Sequence, residues 1–238
     1  MRRLILIFYV CGIIIYSTII LNARIYAASS NSNDYLSTAS INFFKEKYLS
    51  AITELNNNQK NLKPKERYLL ALAFKNISEY HNSEIILKDL LKTVRILKPL
   101  VLFHLGDIKK NQKDYQESNR YLLALMNSDI PYKNLEKQTL FKLIDNYKKL
   151  KDWNSAEKYL KILMNKHINN YSYYKDVFLN IPVKPDIILE LYKIELLRNN
   201  FYTAYNLLEE IINSYEMSDA AYAAAQILEK NQSIFDKY

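Results

Sequence analysis

The side chains that most often bind metals or activate nucleophiles are few in this sequence, and their spacing suits neither task. The three histidines, His81, His104 and His167, are too far apart for a metal-binding pair one helical turn apart. The single cysteine, Cys11, excludes a disulfide framework and a zinc site built on cysteines. We therefore expect no metal, no cofactor and no redox chemistry.

Motifs for nucleophilic catalysis and phosphate binding are also missing from the sequence. No glycine-rich loop precedes a Lys-Ser/Thr pair, and neither Gly-x-Ser-x-Gly nor His-Glu-x-x-His occurs. Adjacent acids such as Glu209 and Glu210 point in different directions from a helix, so they do not form a matched acid and base. We predict no catalytic residues and no enzymatic activity.

The composition favours a helical protein. Of 238 residues, only two are glycine and five are proline. Sandwiches, barrels and nucleotide-binding sheets need glycine-rich turns or loops, so these architectures are excluded. The net charge is +8, but basic and acidic residues are mixed along the chain. We interpret this charge as mostly solvated surface, and expect no binding to nucleic acid.

The N-terminus has the pattern of an export signal. Arg2 and Arg3 precede an uncharged, apolar run from Leu4 to Leu21. As a helix this run is about 27 Å long, close to the roughly 30 Å core of a bilayer, which favours an uncleaved anchor. Small residues around Ala27 favour cleavage instead. Because the positive charge lies mainly before the run, the N-terminus is expected in the cytoplasm and the body outside it.

This pattern predicts a location at the bacterial cell envelope. The expected form is an inner-membrane protein with a single N-terminal span and its body in the periplasm or cell exterior; cleavage would give a secreted or periplasmic protein. We assign 1–28 as signal anchor or signal peptide and 29–34 as a polar linker. Cys11 follows Val10, not the small residue that a lipid attachment site needs, so we interpret it as an apolar side chain.

A repeated pattern organises the rest of the chain. Five aromatic anchors are each followed by a small residue at position +3, a leucine at +7 and, in four cases, an aliphatic residue at +10. The anchors are Tyr48, Tyr80, Tyr115, Trp153 and Phe201. These offsets place the side chains on one stripe of a helix, where a small residue lets a neighbouring helix approach closely.

Each anchor also has a predicted helix before it. A leucine lies ten residues before four of the anchors, and a proline lies sixteen residues before three of them. These prolines are Pro64, Pro99 and Pro185. Proline is favoured in the first turn of a helix, so they mark helix starts. Asp114, Asp152 and Asn200 directly precede three anchors and are predicted to cap the second helix of each pair.

Two of these units resemble tetratricopeptide (TPR) repeats. In one, the matching residues are Leu105-Gly106, Asp114-Tyr115, Ser118, Leu122, Leu125 and Asp129-Ile130-Pro131. In the next they are Leu140, Leu143, Ile144, Tyr147, Asp152-Trp153, Ala156, Tyr159-Leu160 and Leu163. The resemblance covers most of 35–217, as about five helix pairs of which the first is degenerate. It implies an all-α, right-handed solenoid of antiparallel helix pairs; an irregular helical bundle is the alternative.

Two insertions and a C-terminal segment depart from the repeat. About four extra residues lie around Tyr132–Glu136 and about fourteen around Tyr171–Lys184. The second insertion is rich in tyrosine, and is either a short packed helix or an exposed aromatic loop. A helix in 218–238 is predicted to cap the last repeat, or to be the first half of an incomplete one.

The TPR resemblance implies binding of protein segments on a concave groove lined by the first helices. Carried onto this sequence, the family's ligand-facing places are Phe103, Asp107, Lys110 and Asn111 in one repeat and Phe141, Asp145, Lys148 and Lys149 in the next. Family members that clamp a peptide carboxylate have Lys and Asn where Phe and Asp stand here. We therefore expect an apolar or amphipathic segment with some positive charge, unless these aromatics only pack against neighbouring helices.

Together these features predict a non-enzymatic, extracytoplasmic adaptor that binds a protein partner of the bacterial cell envelope through its groove. Two alternatives remain open. One is the non-catalytic superhelical region of a peptidoglycan-acting envelope enzyme, and the other is a structural subunit of an envelope assembly complex.

Overall fold

The computed structural model describes residues 35–57, 62–128, 133–167 and 184–235, which form helices and short turns and contain no β-strand. The predicted leader (1–28), the linker (29–34) and nearly all of the second insertion lie outside these residues. Among the helices that are described, none is both long enough and apolar enough to cross a bilayer. The prediction of an all-α fold is confirmed for the described residues.

The chain forms two compact units, Met1–Pro131 (unit 1) and Tyr132–Tyr238 (unit 2). Unit 1 contains α1 (Tyr35–Phe44), α2 (Tyr48–Asn57), α3 (Pro64–Asn76), α4 (Tyr80–Thr93), a 3-10 helix (Arg95–Leu97), α5 (Lys98–Asn111) and α6 (Tyr115–Met126). Unit 2 contains α7 (Lys133–Lys149), α8 (Trp153–His167), α9 (Lys184–Leu197), α10 (Phe201–Ser214), α11 (Asp219–Lys230) and α12 (Gln232–Phe235). Within each unit, successive helices pack against one another.

Each aromatic anchor is the first residue of the second helix in its pair. The stripe behind the anchors is buried as predicted, because all five small residues at +3 are 0% exposed and the leucines at +7 are at most 4% exposed. These leucines are Leu55, Leu87, Leu122, Leu160 and Leu208. Burying a leucine side chain contributes about 2 kcal/mol, so the stripe supplies a large part of the stability of each pair.

The predicted helix starts agree with the structure, with one exception in capping. Pro64, Pro99 and Pro185 lie in the first turns of α3, α5 and α9. The carboxylates of Asp114 and Asp152 each accept a hydrogen bond from the backbone N–H three residues later, at 3.1 Å. Asn200 precedes α10, but its side chain does not cap that helix. Its amide donates to Oε2 of Glu195 at 2.8 Å, because a buried carboxylate is the stronger acceptor.

The turns within the five pairs share one backbone geometry. In each turn, a residue other than glycine adopts a φ between 58° and 64°, two positions before the anchor. These residues are Glu46, Ser78, Lys113, Lys151 and Asn199. The next N–H donates to the carbonyl five residues back, as from Asp114 to Lys109 at 2.9 Å, which satisfies the end of the first helix. For a residue other than glycine, this left-handed backbone conformation raises the free energy of the folded state by about 1 kcal/mol or more.

Lys113→Gly is therefore expected to raise the free energy of unfolding by about 0.5 kcal/mol. Glycine adopts the φ of 62° without a Cβ clash, which outweighs its larger loss of conformational entropy on folding. Ala124→Gly, at an exposed position inside α6, is the control and should cost about 1 kcal/mol. Urea denaturation of the three proteins measures both changes. Equal destabilisation by the two substitutions would contradict the assignment of strain to the turn.

The part of the first insertion that the structure describes lengthens a helix. α7 has 17 residues, whereas α3, α5 and α9 have 13 or 14. The described part of the insertion, Lys133–Glu136, forms the additional first turn of α7. The helix pair therefore keeps its register from this turn onward.

The C-terminal segment forms two helices where one was predicted. α11 ends at Lys230, and Asn231, whose amide donates to the carbonyl of Ile227 at 2.8 Å, separates it from α12. Three alanines of α11 and Phe235 of α12 are buried with residues of α10 in one apolar cluster. The shared cluster is Ile188, Tyr192, Ala204, Leu208, Ile211, Ala220, Ala221, Ala224 and Phe235. The break lets both short helices cover the apolar face of α10.

Candidate functional site

The eight residues that were predicted to face a ligand divide between the two units. Phe103, Asp107, Lys110 and Asn111 lie on α5 in unit 1, and Phe141, Asp145, Lys148 and Lys149 lie on α7 in unit 2. Both sets occupy the first helix of a pair, as the repeat pattern predicted. The two sets have different surroundings.

On α5, the first two of these residues are engaged inside unit 1. The ring of Phe103 is 8% exposed and lies edge-on to His104, with 5.4 Å between the centroids. The carboxylate of Asp107 forms an ion pair with Nζ of Lys75 on α3 at 2.5 Å, and both side chains are mostly buried. Nζ of Lys75 also lies 3.4 Å from Nδ1 of His104. This surface is therefore largely a packed polar contact between α3 and α5, and Asn111 is exposed at the helix end.

On α7, three of the four predicted residues line one cleft within unit 2. The cleft has a volume of about 440 Å³ and is bounded by α7, α8 and α9. Phe141, Asp145 and Lys148 line it from α7. Lys149 is exposed at the end of the helix and does not line the cleft. We call this feature the α7–α9 cleft.

The α7–α9 cleft has an apolar floor and a charged rim. The floor consists of buried side chains from all three helices, namely Ile144, Leu160, Leu163 and Ile187, with Phe141 and Leu189 half-buried beside them. The charged lining residues are Asp145, Lys148, Asp186, Glu190 and Lys193. Counted over the described lining residues, three carboxylates against two ammonium groups give a net charge of −1. This arrangement suits an apolar side chain accompanied by a positive charge.

Glu190 organises the rim of the cleft. Its Oε2 accepts a hydrogen bond from Lys148 of α7, and its Oε1 accepts one from Lys193 at 2.7 Å. Burial alone raises the pKa of Glu190, but the hydrogen bonds from the two lysines outweigh burial and hold its pKa below the usual range. Glu190 is therefore charged at neutral pH and joins α7 to α9.

Sequence reasoning missed the side of the cleft that α9 provides. Leu189 and Lys193 lie four and eight residues after Pro185, the same offsets that separate the first two predicted residues on α5 from Pro99. The repeat register was therefore a sufficient signal for both. Glu190 has no such signal, because its role depends on the packing of α9 beside α7.

The chemistry available in the cleft is ion pairing, hydrogen bonding and apolar contact. Among the residues that the structure describes, its lining includes no histidine, cysteine or serine. Across the part of the chain that the structure describes, no three His, Cys, Asp or Glu residues are grouped so that they could hold a metal ion. The arrangement is suited to binding a segment of another molecule.

Comparisons with known proteins support the fold. No protein-family model and no curated protein matches the sequence. MamA from Desulfovibrio magneticus RS-1, in a form running from position 41 to the end, is 12% identical with a TM-score of 0.56, over 78% of this chain and 95% of that one. PilF of Pseudomonas aeruginosa is 15% identical with a TM-score of 0.54, over 82% of this chain and 89% of that one.

The description of a third solved structure states its type of repeat. A putative kinesin light chain from Podosopora anserina, described as having nearly identical TPR-like repeats, is 15% identical with a TM-score of 0.54, over 74% of this chain and 91% of that one. At these identities the likeness concerns the fold alone. The chain has a TPR-like repeat fold.

Proposed function

We propose that this protein is a non-enzymatic adaptor of the bacterial cell envelope that binds a protein partner through the α7–α9 cleft. The TPR-like fold supports the binding of a protein segment. The apolar run from Leu4 to Leu21 supports a location in the inner membrane, with a single N-terminal span and the body in the periplasm or cell exterior. If the leader is cleaved, the protein is instead secreted or periplasmic.

The observation that carries this proposal is the combination of an apolar floor with an organised acidic rim. Phe141 and Leu189 are half-buried, so an apolar side chain of the partner would remove their remaining surface from water. Asp145 and Asp186 place further carboxylates on the lining. A Lys or Arg next to that apolar side chain would meet a lining of net negative charge, which favours its approach and orientation.

Phe141→Ala is expected to weaken partner binding at least about tenfold, because it removes a ring from the cleft floor. The native and variant chains are used to capture partners from solubilised envelope membranes, and affinity for the recovered partner is then measured by titration calorimetry. A partner recovered equally well by both proteins would contradict binding in the cleft. Circular dichroism checks that the variant remains helical.

Tyr202→Ala is the matched control for this experiment. Tyr202 is an exposed aromatic residue of unit 2 that does not line the cleft, so its loss should leave the partner list and the affinity unchanged.

The same membrane extract also tests the proposed location of the protein. An intact mass of 28.2 kDa in the membrane fraction is expected for an uncleaved anchor, a lower mass would indicate cleavage, and recovery only from cytosol would contradict the envelope location.

A further inference from the structure

One edge of unit 1 presents five exposed cations, and the acids in the same segments are paired or buried. The start of α3, the last turn of α4, the 3-10 helix and the start of α5 form this edge. Its exposed charged side chains are Lys63, Lys65, Lys92, Arg95 and Lys98. We call these five residues, together with Ile96, the basic edge.

The two acids in these segments are already paired or buried. Asp89 of α4 forms an ion pair with Arg67 of α3 at 2.5 Å, which also shows that the start of α3 lies beside the end of α4. Glu66 is 2% exposed and accepts a hydrogen bond from the backbone N–H of Lys63 at 2.6 Å. Neither acid therefore offsets the positive charge that the basic edge presents to solvent.

An aliphatic side chain lies among these cations. Ile96 is the middle residue of the 3-10 helix and is 71% exposed, with Arg95 directly before it and Lys98 two residues after it. An apolar side chain surrounded by cations matches the surface of an anionic bilayer, where the cations meet lipid phosphates and the apolar group enters the boundary of the acyl chains. A nucleic acid would match the cations but offers no such environment for Ile96.

We propose that the basic edge of unit 1 docks on an anionic lipid bilayer. Lys92, Arg95 and Lys98 contact the headgroups, and Ile96 enters the interfacial region. Each cation near such a surface strengthens binding about fivefold at low salt, and salt screens this attraction. The basic edge belongs to unit 1 and the α7–α9 cleft to unit 2, so this docking does not depend on the proposed adaptor function.

A fluorescent label at position 96 tests the docking directly. The full chain with Cys11→Ser and Ile96→Cys is labelled with an environment-sensitive dye and mixed with phosphatidylcholine vesicles that either contain or lack phosphatidylglycerol. The expected result is a blue shift with the anionic vesicles, little shift with the neutral ones, and loss of the shift in high salt. Because the dye reports its own surroundings, insertion of the N-terminal apolar run alone does not produce this result.

Two comparisons isolate the basic edge. The control label is placed at Ile85→Cys, an exposed position on α4 outside the edge, where no shift is expected. Lys92→Glu/Arg95→Glu/Lys98→Glu in the Ile96→Cys protein should raise at least about tenfold the concentration of anionic vesicles needed for the blue shift at position 96. If circular dichroism shows that the triple variant is unfolded, Lys92→Gln/Lys98→Gln replaces it, and the vesicle concentration needed for the blue shift should again rise about tenfold or more.

Several results would overturn the proposal. Equal shifts at positions 85 and 96, or equal shifts with neutral and anionic vesicles, would mean that the edge has no special affinity for the anionic surface. An undiminished blue shift at position 96 in a folded charge variant would mean the same. A shift produced by duplex DNA without lipid would assign the edge to nucleic acid, and a shift that grows with protein concentration without lipid would assign it to a second copy of the chain.

Discussion

Arg198→Met is expected to lower the free energy of unfolding of unit 2 by about 2–3 kcal/mol. The guanidinium of Arg198 donates hydrogen bonds to Glu157 at 2.8 Å and Asn154 at 2.6 Å on α8, and to Glu195 at 2.5 Å on α9. Glu195 is 6% exposed, so loss of the cation leaves a buried carboxylate with only the amide of Asn200 as hydrogen-bond donor among these contacts. Leaving one member of a buried ion pair uncompensated costs several kcal/mol, and partial exposure of Arg198 reduces that cost.

Trp153 provides the measurement for this prediction, because it is the only tryptophan and the first residue of α8. Its fluorescence in urea follows the unfolding of unit 2. Lys161→Met is the matched control: Lys161 pairs with the same Glu157 at 2.5 Å but is more than half exposed, so its loss should cost less than about 0.5 kcal/mol. An Arg198→Met protein as stable as the native one would contradict the role of the network.

A second substitution separates the buried charge from the lost contacts. Adding Glu195→Gln to Arg198→Met should recover part of the stability, because a neutral amide remains where a carboxylate was buried. If the double variant is no more stable than Arg198→Met alone, the loss comes from the packing of the arginine side chain and not from the uncompensated charge.

The Arg198 network also shows which contacts the sequence could not predict. The residues 3 and 7 positions after each anchor, and the aliphatic residues 10 positions after four of the anchors, share a helix face, so their burial follows from helical geometry alone. Arg198 and Glu157 are 41 residues apart, and only the packing of α8 against the end of α9 brings them together. Asn200 was predicted as a cap from its position, but the same network provides a charged acceptor that its amide binds instead.

The candidate site shows the same division between local and non-local information. The Phe-Asp pair recurs at equivalent places in two repeats, and the repeat register correctly places both pairs on first helices. On α5, Phe103 is buried and Asp107 pairs with Lys75 of the preceding repeat. On α7, Phe141 and Asp145 line a cleft that α9 helps to form. The pattern therefore predicts the position of a side chain, whereas the neighbouring helix decides whether a ligand can reach it.

Gly106→Ala is expected to destabilise unit 1 by about 1–2 kcal/mol, although alanine is the better helix former by about 1 kcal/mol. A Cβ at position 106 on α5 would lie 2.8 Å from both Cγ and Cδ2 of Leu122 on α6. Leu122 is 0% exposed, so these atoms can move only by disturbing the core. Overpacking of this kind costs about 2–3 kcal/mol, which exceeds the gain in helix propensity.

A double-mutant cycle tests this explanation. Leu122→Ala removes both atoms that the new Cβ would contact, at a cost of about 3 kcal/mol. In that background, Gly106→Ala should no longer destabilise and should gain up to about 1 kcal/mol from helix propensity. Urea denaturation followed by far-UV circular dichroism gives the four stabilities. An equal cost of Gly106→Ala in both backgrounds would show that the close contact with Leu122 is not the cause.

One repeat earlier, Ala71 occupies the position that corresponds to Gly106, so Ala71→Gly is the reverse of Gly106→Ala. Oγ of Ser118 donates to the carbonyl of Gly106 at 2.7 Å, and Oγ of Ser83 donates to the carbonyl of Ala71 at the same distance, so the two positions are equivalent. Ala71 is 0% exposed, and its Cβ is accommodated there. Ala71→Gly should therefore cost about 1 kcal/mol. We therefore expect both Gly106→Ala and Ala71→Gly to lower the free energy of unfolding. The hydrogen bond from the serine hydroxyl is the same in the two repeats, but only the repeat of Ala71 has room for a Cβ at this position.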